Sequence, residues 1–355
     1  MLADVQCVQD YQTLARERLE SSVWNYLAEG DSQSNENALR DCRVMPRPLR
    51  NVANGDTRLE LFGQPLAHPL LLAPVAYQRL FHPEGEVASA LAASAQAAPF
   101  MISSLASQPI EVLAEAAKTE GGQRAWFQLY WQGDRQLTLR LLQRALAAGC
   151  STLVLTVDSP IKIASFQLPK DICAVNLEAR ETPQAHGSVV FNGWMSQAPT
   201  WDDVAWLRQQ TKVPLLLKGL LHPDDAESAI ALGCDGIVVS NHGGRVLKGS
   251  PISLFALEAI VKKVNARVPV LFDSGVRNGR DVFVALAHGA SAVLVGRPYV
   301  WGLAADGAMG VAHVIRLLRD ELEMTMALTG CKRLTDIGQH CLCPWNLNIG
   351  RPTAQ

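Results

Sequence analysis

Short apolar, β-rich runs recur along the chain, each followed by a stretch with helical signals. They are Pro69–Ala73 (PLLLA), Phe100–Ser103 (FMIS), Ala125–Tyr130 (AWFQLY), Thr152–Thr156 (TLVLT), Pro214–Lys218 (PLLLK), Gly236–Ser240 (GIVVS), Val268–Asp273 (VPVLFD) and Ala292–Gly296 (AVLVG). Near-continuous apolar runs are what parallel strands covered on both faces require. Between them, His82-Pro83-Glu84-Gly85-Glu86 and His222-Pro223-Asp224-Asp225 predict helix starts, with proline near the first turn and early acids. Gly149 and Gly233 predict helix ends before the next strand.

The runs are spaced about 22–33 residues apart, the length of one βα unit, except for a gap of about 60 residues after the fourth. Eight strands alternating with helices predict an α/β fold, a TIM-type (β/α)8 barrel. A doubly wound sheet is the competitor, but the first strand runs into Ala73-Pro74-Val75-Ala76 and not a GxGxxG turn. We read 1–355 as one domain, with 1–60 an N-terminal helical cap and 61–330 the barrel. The cap holds a helix over Val8–Leu19, another containing Val23–Ala28, and the turn-rich Pro46-Arg47-Pro48. The excursion 161–193 is polar, lacks periodicity and holds Pro169, Pro183 and Gly187. Starting at the C-terminal end of a barrel strand, it reads as an active-site lid, with a disordered surface insert as the alternative.

Composition narrows the function classes. A chain of 355 residues with 48% hydrophobic content is no disordered segment. Its 32 basic and 34 acidic side chains leave a net charge of −2, which gives no electrostatic case for nucleic acid or an acidic membrane. Eight cysteines without a CxxC pair argue against a disulfide framework or a metal site and for reduced thiols. The N-terminus lacks a secretory pattern, and no uncharged apolar run reaches about 18 residues. The expectation is a soluble, cytoplasmic protein. Walker A, HExxH and GxSxG motifs are absent, so triphosphate hydrolysis, zinc proteolysis and α/β-hydrolase chemistry have no support.

A barrel presents its chemistry at the C-terminal ends of its strands. In order these ends are Ala73-Pro74, Ser103-Ser104, Gln128 with Tyr130, Thr156 with Asp158, Lys218, Ser240-Asn241-His242 with Arg245, Asp273 with Arg277, and Gly296-Arg297. Lys218 follows an apolar run, so its stem is buried and its amine needs an anion or polarised ligand. A salt bridge to Asp158 or another barrel acid would also satisfy it. His242, with two glycines and Arg245 after it, points to catalysis rather than a packed structural histidine. Asp273-Ser274-Gly275-Val276-Arg277 and Gly296-Arg297 end the last two strands, where β/α barrels commonly hold phosphate.

These segments resemble the FMN-dependent L-2-hydroxy acid oxidases and dehydrogenases: APVAYQ with HPEGE, WFQLY, LTVDSP, LLLKG, GIVVSNHGGR, VLFDSGVRNGRDV, LVGRP and MALTGC. The likeness runs from about Tyr11 to Ile337. It implies FMN with its phosphate on Gly275, Arg277, Gly296 and Arg297 and its ribityl chain on Asp273. It sets the backbone of Pro74-Val75-Ala76 against the reactive flavin nitrogen, and Ser104, Gln128, Thr156, Lys218 and Ser240 on the isoalloxazine. His242 is then the base and Asp158 its orienting carboxylate. Arg245 clamps the substrate carboxylate, Tyr130 contacts the substrate hydroxyl or its developing carbonyl, and Tyr26 adds a hydrogen bond, with an ordinary packing tyrosine as the alternative. The resemblance implies a small 2-hydroxy acid as substrate, a homotetramer, and, from Ala76, oxygen as acceptor, with another acceptor open.

The chain also departs from that family. Ser165 stands where a second carboxylate-binding arginine is usual, and neither Lys162 nor Lys170 aligns with it. Leu105 replaces a tryptophan found in glycolate oxidases, and Val246-Leu247-Lys248 follows SNHGGR. The same flavin scaffold acting on an amine, a peptide-like compound or a biosynthetic intermediate is therefore the enzymatic alternative. A barrel that binds flavin without catalysis is the non-enzymatic one.

Overall fold

The computed structural model describes residues 5–121, 123–160, 167–178 and 187–344. Three helices, α1 (Val8–Arg18), α2 (Ser21–Ala28) and α3 (Ser32–Asp41), precede a hairpin of β1 (Leu59–Leu61) and β2 (Gln64–Leu66). Strands and helices then alternate: β3 (Leu70–Leu72), α4 (Gly85–Ala95), β4 (Met101–Ser103), α5 (Ile110–Ala116), β5 (Trp126–Tyr130), α6 (Arg135–Ala147), β6 (Thr152–Thr156) and α7 (Trp201–Gln209). The series continues with β7 (Leu215–Leu220), α8 (Pro223–Ala231), β8 (Gly236–Val239), α9 (Ser253–Val264), β9 (Val270–Phe272), α10 (Gly279–Ala287), β10 (Ala292–Val295) and α11 (Arg297–Thr329). Each strand from β4 to β10 pairs parallel with the next, and β10 pairs with β3. A parallel bridge between Leu72 and Phe100 completes the ring, a TIM-type (β/α)8 barrel.

Period two divides each strand between two cores. Leu71, Met101, Trp126, Val154, Leu216, Val238, Leu271 and Leu294 pack together inside the barrel. Their neighbours Leu72, Phe127, Leu153, Leu217, Ile237, Phe272 and Val293 pack against the helices. The β1–β2 hairpin plugs the N-terminal end. Its two turn residues, Phe62 and Gly63, both have positive φ, as a two-residue hairpin turn requires. The Phe62 ring meets Trp126 edge-on at 5.6 Å, and a Cβ on Gly236 would lie only 2.8 Å from it. The open end of the barrel is therefore the C-terminal one.

Helix signals held with one exception. Pro223 opens α8 behind an N-cap His222, and Gly149 and Gly233 follow α6 and α8 with φ of 92° and 81°. Around His82, however, Pro83 sits outside the helix, one residue before the N-cap Glu84, and α4 begins at Gly85. No helix among the described residues is long and apolar enough to cross a membrane.

At the barrel base His68 is fully buried, its Nε2 donating to Gln96 O at 2.9 Å and its Nδ1 accepting from Leu70 N at 3.3 Å. Burial, partly offset by the Gln96 bond, pushes the imidazole down from 6.5 to about 4. The unfolded chain then protonates first. The stabilisation is complete above about pH 6.5 and is lost as pH falls toward 4, by up to about 3 kcal/mol. Urea midpoints at pH 7 and pH 5 should fall further in the parent than in His68→Gln.

Candidate active site

The inward positions that form the barrel core also place the polar layer above it. Two residues beyond Trp126, Val154, Leu216, Val238 and Leu271 stand Gln128, Thr156, Lys218, Ser240 and Asp273, so period two carries all five to the mouth. They are buried there. Lys218 Nζ donates to Ser240 Oγ and pairs with Asp273, both at 3.0 Å, and Ser240 Oγ donates to Asp273 Oδ2 at 2.6 Å. Lys218 is thus bridged to Asp273 and not to Asp158. Burial alone would lower the Lys218 ammonium, but the Asp273 and Asp158 carboxylates hold it above the ordinary lysine range. Burial would likewise raise Asp273, and Lys218 with the Ser240 bond holds it below the usual carboxylate range.

One step further along β6 and β8, Asp158 and His242 meet, with His242 Nδ1 2.9 Å from Asp158 Oδ1. This leaves the far ring nitrogen, Nε2, turned away from the carboxylate. His242 holds φ of 57°, an uncommon left-handed conformation for a residue with a Cβ, and Gly243 and Gly244 continue it. Its N–H donates to Ser240 Oγ at 3.0 Å, so the lysine–serine–aspartate chain and the histidine share one anchor. Asp158 keeps its place because position 219 is glycine. With φ of 104° there, a Cβ would lie 2.4 Å from Asp158 Cγ. Gly219→Ala displaces the carboxylate and should lower kcat by about 10²-fold with flavin content unchanged, read by initial rates and absorbance.

Three arginines converge from the other side, each bonded to the N-terminal helices. Arg245 donates to Tyr26 O, lies 5.0 Å over the Tyr26 ring and stands 3.7 Å from Glu29. Arg277 Nη2 donates to Glu36 Oε1 at 2.7 Å, and its guanidinium stacks 5.0 Å from the Trp301 ring. Arg297 donates to the carbonyls of Leu27 at 3.0 Å and Glu29 at 2.6 Å, at the C-terminal end of α2 where orphan carbonyls gather. Burial first, then repulsion from Arg277 and Arg245, pushes the Arg297 guanidinium down to about 9. Such a cluster favours an anion.

The remaining positions fall into place around this mouth. Pro74, Val75 and Ala76 follow β3 half-buried, and Ser104 is buried with its Oγ accepting from Tyr130 N at 3.2 Å. Gly275, with φ of 90°, packs on Asn35, where a Cβ would meet that residue at 2.7 Å. Gly296 caps α11. Burial, then Asp158, drives the Tyr130 phenol upward, and burial does the same for Tyr26, so both keep their proton and can donate a hydrogen bond. Leu105 sits half-buried after Ser104. Ser165 and Lys162 lie outside the described residues, as do 161–166 and 179–186 of the excursion, and Lys170 is exposed. Within the excursion Asn176 is buried, accepting from Ile110 N and donating to Gln108 O.

Sequence reasoning missed α3 and what it brings. Asn35 forms a reciprocal amide pair with Asn241 at 3.1 and 3.2 Å, and Glu36 meets Arg277. The polar stretch SQSNENALRD has only Ala38 and Leu39 as buried apolar anchors, so no periodicity marks it.

The chain matches the FMN-dependent dehydrogenase family over residues 15–344. It belongs to that family. It is 46% identical to an L-lactate oxidase of Alicycliphilus denitrificans over 94% of this chain and 95% of the relative. Identity to a glycolate oxidase of Spinacia oleracea is 39%, covering 98% of both. A 4-hydroxymandelate oxidase of Amycolatopsis orientalis is 41% identical over 91% of this chain and 94% of the relative. Among solved structures, a mandelate oxidase with (S)-2-phenylpropionate superposes with a TM-score of 0.84 at 39% identity, covering 93% of this chain and 96% of that one.

The residues present fit the FMN of this family. Gln128 Nε2, Thr156 Oγ1 and Arg277 Nε are buried with no hydrogen-bond partner. A buried donor normally has an acceptor, and these three converge on the mouth beside Lys218 and Arg297. An isoalloxazine offers acceptors for Gln128, Thr156 and Lys218, and a phosphate offers them for Arg277 and Arg297.

Proposed function

We propose that this enzyme oxidises an L-2-hydroxy acid to the 2-oxo acid, with oxygen as the final acceptor. The observation that carries the reading is the His242–Asp158 pair at 2.9 Å in the same barrel mouth as Arg245, Tyr26 and Tyr130. Gln128, Thr156, Lys218, Ser240, Asp273, Arg277 and Arg297, with Ser104, Gly275, Gly296 and the Pro74–Ala76 backbone, would hold FMN, which would supply the two-electron acceptor. The buried Lys218 ammonium would favour uptake of negative charge by a ring bound against it.

The chain's own residues do the rest. Arg245 takes the substrate carboxylate, its guanidinium already fixed by the Tyr26 ring and carbonyl. Tyr26 adds a hydrogen bond to that carboxylate. Tyr130, held protonated, donates to the substrate hydroxyl oxygen and follows it as it becomes a carbonyl. His242 Nε2 accepts the proton, and Asp158 at Nδ1 fixes the tautomer and balances the imidazolium.

Paired substrates test this directly, each hydroxy acid being compared with its amide. Arg245→Met should raise KM for the acid by about 10- to 100-fold, the worth of a charge-assisted pair, and leave the amide almost unchanged. Equal effects on acid and amide would remove Arg245 from carboxylate recognition. The reading extends to a single domain, with 161–193 as a lid, assembled as a homotetramer in the cytoplasm. Light scattering of the purified protein checks the assembly.

A further inference from the structure

Beside the barrel mouth, buried polar side chains form one connected network. Gln78 is 1% exposed and bonds in three directions. Its Nε2 donates to Tyr299 Oη at 3.0 Å and to Val75 O at 3.4 Å, while its Oε1 accepts from Ser89 Oγ at 2.7 Å. Tyr299, fully buried in the first turn of α11, donates in turn to Ala73 O at 2.9 Å. Beneath them Glu86, also 1% exposed, accepts from Gln78 N at 2.9 Å, Ser107 N at 2.8 Å and Ser107 Oγ at 2.7 Å. The β3 and β4 loops and the start of α11 are thereby tied together.

The network ends on backbone, and the place is specific. Two carbonyls of one short segment, Ala73 and Val75, are held from the buried side. The peptides are trans, so fixing the Val75 carbonyl fixes its peptide plane and turns the Ala76 N–H the opposite way, away from Gln78. The next residue, Tyr77, sits in the left-handed region with φ of 53° and donates to Leu105 O at 3.2 Å, which pins the segment from its other end. A fully satisfied network of this kind is rigid. A preorganised N–H is worth more than one that must reorient as charge develops.

We propose that Gln78 and Tyr299 are positioning residues that aim the Ala76 N–H at the reactive edge of the flavin and so set its electron affinity. Glu86 locks the two loops beneath them. Neither side chain need touch cofactor or substrate. This rests on the reading that sets FMN against Pro74–Ala76.

The test uses FMN-loaded protein carrying Tyr299→Phe or Gln78→Leu. Thr57→Val serves as the comparison, because Thr57 is buried and donates to Ala67 O at 3.1 Å but lies beside the β1–β2 hairpin at the opposite end of the barrel. The midpoint potential of the bound flavin, kcat, KM and thermal unfolding are measured for each. The expected result is a more negative potential in both network variants and a kcat lower by about tenfold, with KM unchanged. Thr57→Val loses stability without moving the potential. Network variants that lose stability while keeping the parent potential overturn the inference alone. A parent protein that takes up no FMN overturns the reading beneath it as well. Should Gln78→Leu fail to fold, Tyr299→Phe, which removes one oxygen and keeps the ring, decides the matter.

Discussion

Replacing His242 with asparagine should lower turnover by about 10²–10⁴-fold, the contribution of a positioned general base, while the protein stays yellow. Asparagine keeps a donor facing Asp158 but offers no group that can take a proton at the position of Nε2. Flavin retention follows because the bonds between Lys218, Ser240 and Asp273 do not pass through the imidazole. Stopped-flow reduction of the flavin by a saturating hydroxy acid is the measurement, since it isolates the step that needs the base. A variant reduced at the parent rate would assign His242 to structure and remove it from the proton transfer.

The second large effect is on stability and concerns Lys218. Lys218→Met leaves the Asp273 carboxylate buried with Ser240 but without its cation. Breaking a buried pair from one side costs about 3–5 kcal/mol. Urea unfolding should therefore show a lower midpoint at an unchanged slope. The double variant Lys218→Met, Asp273→Asn removes both charges and should recover most of that loss. Both variants should hold FMN more weakly. A single variant as stable as the parent would mean that the pair is not closed in solution.

Why these residues were readable in the sequence is a matter of period. The eight strands lie within a residue or two of the apolar runs because parallel strands buried on both faces need such runs. Once those are located, alternation fixes which residues point inward. On five strands the polar residue two positions after the inner apolar one is carried to the mouth without further information, as with Lys218 after Leu216. The glycine that makes room for Asp158 was also in view, as Gly219 in LLLKG, but its role depends on a neighbour 61 residues away across the β6–β7 pair.

What stayed hidden depends on contacts distant in sequence. Arg277 and Glu36 are 241 positions apart, and a polar helix without an apolar stripe gives no local sign that it will cover a barrel mouth. The hairpin plug was obscured by its composition, since Pro65 interrupts β2 and each strand has only three residues. Around His82 the proline signal pointed two residues too early. Glu84 takes the N-cap there, and upstream Gln78, at the start of the 3-10 turn Gln78–Leu80, belongs to the buried network rather than to the helix.

A bound flavin that takes electrons from a 2-hydroxy acid is the centre of this chemistry. Flavin absorbance of the purified protein, followed anaerobically against small, aliphatic and aromatic L-2-hydroxy acids, tests it most directly. The expected result is rapid bleaching by at least one of them and recovery of the yellow colour when air is admitted. A yellow protein that none of them bleaches would contradict the assigned chemistry, and a colourless protein that takes up no added FMN would contradict the site itself.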